Sequence, residues 1–99
     1  MAEKDWLARL AAGGPVLLDG AWGTQFQLRG LATGESPDFW NLHHPERVEA
    51  VARSYVEAGS QIILTNTFRA NRLAQAGHPE LGRLAEVNRE GVLLSKRAA

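Results

Sequence analysis

Asp19, Gly20, Ala21 and Thr24 follow the apolar run Val16-Leu17-Leu18, and Asn66, Thr67 and Phe68 follow a second run, Ile62-Ile63-Leu64. These residue types suit binding more than bond making. A carboxylate such as Asp19 pairs with an ammonium group, although Asp-Gly is also a common turn former. The small residues Gly20, Ala21, Gly23 and Thr24 let a ligand approach backbone N–H groups, which suits a carboxylate. Asn66 fits either a ligand contact or a hydrogen-bonded structural amide, and Phe68 fits a pocket wall. No Ser/His/Asp arrangement, paired catalytic carboxylates or dinucleotide fingerprint stands in the sequence, so no residue is assigned to catalysis. His43 and His44 are adjacent and do not face one point on a regular element, which favours a helix entry over a metal site. Glu46 and Glu49, one turn apart, belong to a solvated helix face.

The elements that must position these residues follow from periodicity. Each short apolar run, breaking into small and polar residues at its end, predicts a buried parallel strand, and such strand ends are where α/β folds hold ligands. An Asp19-Gly20 hairpin with Ala21–Leu28 as the returning strand is the competing reading, weakened by Gly23 within that strand. Residues 3–12 predict a first helix, with Asp5 as its cap and Gly13-Gly14-Pro15 as its stop. Residues 25–29 predict a short helix ended by Gly30. The loop 31–44 is long enough to be functional or a lid, and Phe39 and Trp40 in it fit a packed plug. Pro45 opens the clearest helix, with Val48, Val51, Ala52, Tyr55 and Val56 on one stripe and Ala58-Gly59 at its end. Leu81, Leu84, Val87 and Leu94 mark a last long helix in which Gly91 predicts close packing.

The bulk properties narrow the class. Ninety-nine residues with 44% apolar and 22% charged side chains describe at most one ordinary folded domain. Eleven basic residues balance eleven acidic ones, giving no electrostatic case for nucleic acid or an anionic membrane. The apolar runs fall short of the roughly 20 residues a span requires, and the N-terminus lacks the pattern of a secretory signal. A cytoplasmic location is the resulting expectation. With no cysteine, the chain has no disulfide, thiol nucleophile or thiolate metal ligand.

Several blocks taken in order carry a resemblance. Leu18-Asp19-Gly20-Ala21-Trp22-Gly23-Thr24 is followed by Gly34-Glu35, Trp40-Asn41-Leu42 and His44-Pro45-Glu46-Arg47-Val48. Tyr55-Val56-Glu57-Ala58-Gly59-Ser60, Thr65-Asn66-Thr67-Phe68 and Ala70-Asn71-Arg72 complete the series. From residue 16 to about residue 75 this succession resembles the N-terminal part of the homocysteine-binding domain of homocysteine S-methyltransferases. The resemblance implies an α/β fold, the N-terminal part of a (β/α)8 TIM barrel. Residues 1–99 would form a partial domain in which 16–99 supply the first two βα units only. It also implies methyl transfer to the homocysteine thiol, giving methionine, with the sulfur held as a thiolate on zinc. The zinc-binding cysteines of the family are absent from this chain, so the 99 residues are expected to be inactive alone. Homocysteine is the implied partner. Asp19 is then expected to hold its ammonium group, with Gly20, Ala21 and Thr24 near its carboxylate and Asn66, Thr67 and Phe68 at the same mouth. The methyl donor is not legible. Two rivals remain: a non-catalytic module that self-associates through open strand edges, and a (β/α) barrel enzyme with another ligand.

Overall fold

In a computed structural model, which describes residues 5–99, the chain is built from helices. Helix α1 spans Trp6–Ala12, α2 Gly23–Leu28, α3 Trp40–His43, α4 Pro45–Glu57 and α5 Leu84–Ala98. Single 3-10 turns at Pro37–Phe39 and Leu81–Arg83 lead into α3 and α5. The start of the predicted first helix, residues 3 and 4, lies outside the described residues. Asp5 occupies the cap position of α1 but makes no side-chain capping bond.

Helix α4 shows why these segments fold as they do. Pro45 sits in its first turn with Glu46, where a missing N–H costs nothing and an acidic charge suits the dipole. Val48, Val51 and Ala52 return to one face at helical spacing and are fully buried. At the C-terminal end Gly59 takes φ 106°, the left-handed conformation that favours glycine. Its N–H bonds Val56 O at 3.1 Å and that of Ser60 bonds Tyr55 O at 3.0 Å, a Schellman closure that turns the chain toward residues 61–64.

Helix α5 packs along α4 and against α3. One core cluster joins Phe26, Trp40, Val48, Val51 and Leu94, and a second joins Phe39, Ala70, Leu84 and Val87. Loop 31–44 thus contributes two buried aromatics, Phe39 and Trp40, as plugs between helices. The Trp40 indole N–H donates to Glu35 Oε2 at 2.8 Å, so burying the ring leaves no polar atom unpaired.

The expected pair of βα units from a (β/α)8 barrel is not what the chain forms. Among the described residues helix accounts for 54% and strand for 2%, with no sheet. Residues 16–18 and 62–64 do run alongside one another, but among the described residues they share one isolated parallel bridge, Leu18 to Ile62. The competing hairpin is absent too, because residues 23–28 form α2. Side chains explain why the pairing stops. Beyond the bridge the Leu64 N–H donates to the Asp19 carboxylate at 2.8 Å, and before it the Leu17 N–H donates to Gln61 Oε1 at 3.0 Å. Ser60 Oγ and Ser95 Oγ donate to the carbonyls of Leu18 and Leu64. These bonds, from side chains 31 to 45 residues away in sequence, satisfy backbone groups that a ladder would otherwise use. A two-stranded pairing is in any case marginal without further strands.

Candidate functional site

The single bridge places the two polar segments against each other. Asp19 leaves the first segment beside Leu64 of the second, and its Oδ2 accepts both the Leu64 N–H and the Trp22 indole N–H, the latter at 2.6 Å. Trp22 in turn lies 6.0 Å from Phe26, edge to face, and 6.4 Å from Tyr55, stacked. One carboxylate oxygen is therefore tied to the scaffold from two sides, while Oδ1 has no protein donor among the described residues.

Beside Asp19 opens a cleft of about 290 Å³, walled by Gly20, Trp22, Phe26, Leu64 and Phe68, with Asp38, Thr65, Asn66 and Arg69 among its polar members. Gly20 packs closely there, since a Cβ on it would stand 3.2 Å from the Tyr55 hydroxyl oxygen. Phe68 is 95% exposed at the rim.

Four expected residues are not among those lining the cleft: Asp19, Ala21, Thr24 and Thr67. Ala21 offers its carbonyl to the Tyr55 hydroxyl at 2.6 Å. Thr24 is exposed on α2, a helix of 6 residues whose short dipole offers little to an anion. Thr67 pairs its Oγ1 with Thr65 Oγ1 at 2.7 Å and turns its methyl toward Gly91 of α5.

Asn66 is only 7% exposed and belongs to a closed amide network. Its Nδ2 donates to Pro37 O and to Asn41 Oδ1, each at 2.9 Å. Asn41 Nδ2 donates to Asn66 O at 2.8 Å and to Val87 O at 2.9 Å. The structural-amide and ligand-contact readings of Asn66 are thus compatible, because its nitrogen serves the scaffold and its residue still lines the cleft.

Sequence reasoning passed over Asp38, Asn41, Trp22 and Arg69. Asp38 is 2% exposed and accepts the Arg69 N–H at 3.0 Å, which pins the turn after Asn66 to the turn before α3. The available signal was Pro37-Asp38 within a long loop already marked as functional. Burial is the main influence on the Asp38 carboxyl and raises its pKa, against the smaller pull of the Arg69 N–H. Glu35 goes the other way: the Ala32 N–H, followed by the Trp40 indole, holds its carboxyl below the ordinary value.

The signs of these shifts yield a prediction. A lowered folded pKa contributes stability that is present above the ordinary carboxylate value and is lost as pH falls through the folded value. A raised one imposes a cost that disappears on acidification through the raised value. Glu35→Gln should flatten the acid limb of stability against pH, and Asp38→Asn should steepen it. Urea unfolding at stepped pH measures both, and slopes unchanged from wild type would contradict the assignment.

The two adjacent histidines take separate partners. His43 pairs with Glu80 at 2.6 Å and His44 packs its ring edge to face on Trp40. Among the described residues no three His, Cys, Asp or Glu side chains converge. The resemblance implies a zinc ion held by cysteines, and the sequence has no cysteine, so this chain's residues do not fit that ion. Among the described residues no helix is long and apolar enough to cross a membrane.

What the cleft can do is hold a small polar molecule between acceptor oxygens and an apolar wall, and comparison with known proteins states the class. The sequence model of the homocysteine S-methyltransferase family matches residues 16–99, and the chain belongs to that family. It is 29% identical over 87 residues to methionine synthase of Mycobacterium tuberculosis (strain ATCC 25618 / H37Rv), covering 82% of this chain and 7% of that protein. Against Homocysteine S-methyltransferase 1 of Arabidopsis thaliana it is 31% identical over 62 residues, 59% of this chain and 18% of that protein. The chain therefore spans less than a fifth of the length of these relatives.

Proposed function

We propose that this chain forms part of a homocysteine site, in which Asp19 holds the ammonium group and Gly20, Asn66 and Phe68 form the surrounding wall. Ala21 and Thr67 support that wall from behind it, and Thr24 stands outside it on α2. The observation carrying this reading is the bond from the Leu64 N–H to Asp19, which ties the carboxylate to a residue that lines the same cleft as Gly20 and Asn66. The reaction served is methyl transfer to the homocysteine thiol, giving methionine, in a cytoplasmic setting. The methyl donor stays open. With no cysteine to bind a zinc-activated thiolate, the 99-residue chain is proposed to bind homocysteine without methylating it. Titration calorimetry with L-homocysteine should show saturable binding. A methyl-transfer assay on the chain with added zinc and a panel of methyl donors should show no turnover, and measurable turnover would refute the division of labour.

A second reading, self-association, has its own support. Leu17 is 55% exposed, Leu64 57% and Leu73 90%, large apolar side chains on a small chain. Surfaces of this kind are often covered by another protein surface. Light scattering across a concentration series should show mass rising above that of a monomer. A constant monomer mass at high concentration would remove this reading.

A further inference from the structure

The single bridge leaves one backbone edge unused. Ile62 donates its N–H to Leu17 O at 3.4 Å and accepts the Asp19 N–H on its carbonyl at 3.2 Å. Along an extended segment successive residues direct these groups to opposite edges, so Ile63 presents its N–H and C=O on the side away from residues 16–18. Among the described residues neither group has a partner. On that side runs a groove of about 340 Å³ between the C-terminal parts of α4 and α5. Val56, Ile63 and Val92 form its apolar wall and Lys96 is its charged member. Val92 is 42% exposed there.

We infer that the Ile63 edge and its groove receive a second copy of this chain, the two segments 61–65 pairing antiparallel about a two-fold axis at Ile63. This deepens the self-association reading and rests on it. In such a pair the two Ile63 residues exchange both N–H···O bonds, which makes the edge complementary to itself. The area argues for a partner of this size. The chain exposes 6534 Å², whereas a compact monomer of its length exposes about 5,500 Å². Its radius of gyration, 14.8 Å, likewise exceeds the roughly 13 Å of a compact chain. The surplus, roughly 1,000 Å², is close to the ~800 Å² that each partner contributes to a standard interface. Charge does not oppose the contact, since eleven basic residues balance eleven acidic ones. Lys96 near the end of α5 and Glu57 at the end of α4 have no partner among the described residues, so both signs are available to a copy.

The wild-type chain provides the first test. Light scattering should show mass approaching that of a dimer as concentration rises, and hydrogen exchange at the Ile63 N–H should slow over the same range. Because the sequence has no cysteine, a single introduced one can bridge only to another copy. Facing Cα atoms of a hydrogen-bonded antiparallel pair stand about 5.5 Å apart, within reach of a disulfide. Ile63→Cys should therefore give a linked dimer on mild oxidation, while Gln27→Cys, exposed on α2, should stay largely unlinked. Val92→Lys sets a second cation in the apolar wall beside Lys96 and should weaken association about tenfold or more. A dimer whose Ile63 N–H exchanges as freely as in the monomer would overturn the inference while leaving self-association to another surface. So would equal linking of Gln27→Cys and Ile63→Cys. Should the variants not fold, the exchange measurement on wild type decides by itself. A monomer mass at every concentration would bring down both the edge and the reading beneath it.

Discussion

Asp19→Asn should weaken homocysteine binding about tenfold to a hundredfold while leaving most of the stability intact. The reason is the asymmetric tethering of the carboxylate. Trp22 Nε1 and the Leu64 N–H both donate to Oδ2, so an asparagine keeps its one oxygen on that side. Its NH2 must then occupy the position of Oδ1 and face the incoming ammonium. A charge-assisted hydrogen bond contributes roughly 1.5–3 kcal/mol, which sets the size of the loss. Asp19→Ala is a different experiment, because it removes the acceptor for both donors and should lower stability by about 1 kcal/mol, mostly through the part-buried Trp22 indole N–H, since the Leu64 N–H is exposed. Calorimetry and thermal melting on the same samples distinguish the two effects. Unchanged affinity in Asp19→Asn, together with a lowered melting temperature, would make Asp19 part of the scaffold alone.

The other large effect is expected at Gly91→Ala. On an open helix face this change would stabilise by about 1 kcal/mol through helix propensity. Here the added Cβ would lie 2.7 Å from Asn41 Nδ2, 2.7 Å from Thr67 Cγ2 and 3.1 Å from Asn66 O. None of these neighbours yields easily, since Asn41 and Asn66 are buried and bonded to each other. Overpacking of this kind typically costs about 1–3 kcal/mol, enough to outweigh the gain in propensity. The displaced groups are those that orient Asn66, so homocysteine affinity should fall with stability. Gly82→Ala is the matched control: a Cβ there meets nothing within 4 Å, and its effect should be close to neutral. Denaturant unfolding of both variants tests the comparison, and a stabilised Gly91→Ala would show that α5 can move away from the amide network.

These two expectations also mark how much the sequence could disclose. Periodicity and end signals sufficed for α4, because Pro45, the Val48-Val51-Ala52 stripe and Gly59 act through local backbone geometry and burial on one face. Gly91 stood out as a helix interruption needing a packing reason, and the ordered motif series was enough to indicate the family that the match over residues 16–99 establishes. Strand formation was not legible, since an apolar run reports burial and not whether a backbone partner is present. In the folded chain the groups flanking the one bridge are taken by Asp19, Gln61, Ser60 and Ser95 side chains. For the site, residue type alone marked Asp19 and Asn66 as polar ends of apolar runs. Only tertiary contact across 25 residues, from Asn41 to Asn66, decided which atom of Asn66 is tied to the scaffold. Likewise only the fold showed that Thr67 turns to α5 and that Asp38 closes the site from the loop before α3. Side-chain orientation depends on partners distant in sequence, and hydrogen-bond chemistry, once those partners are in place, leaves a single arrangement that satisfies them all.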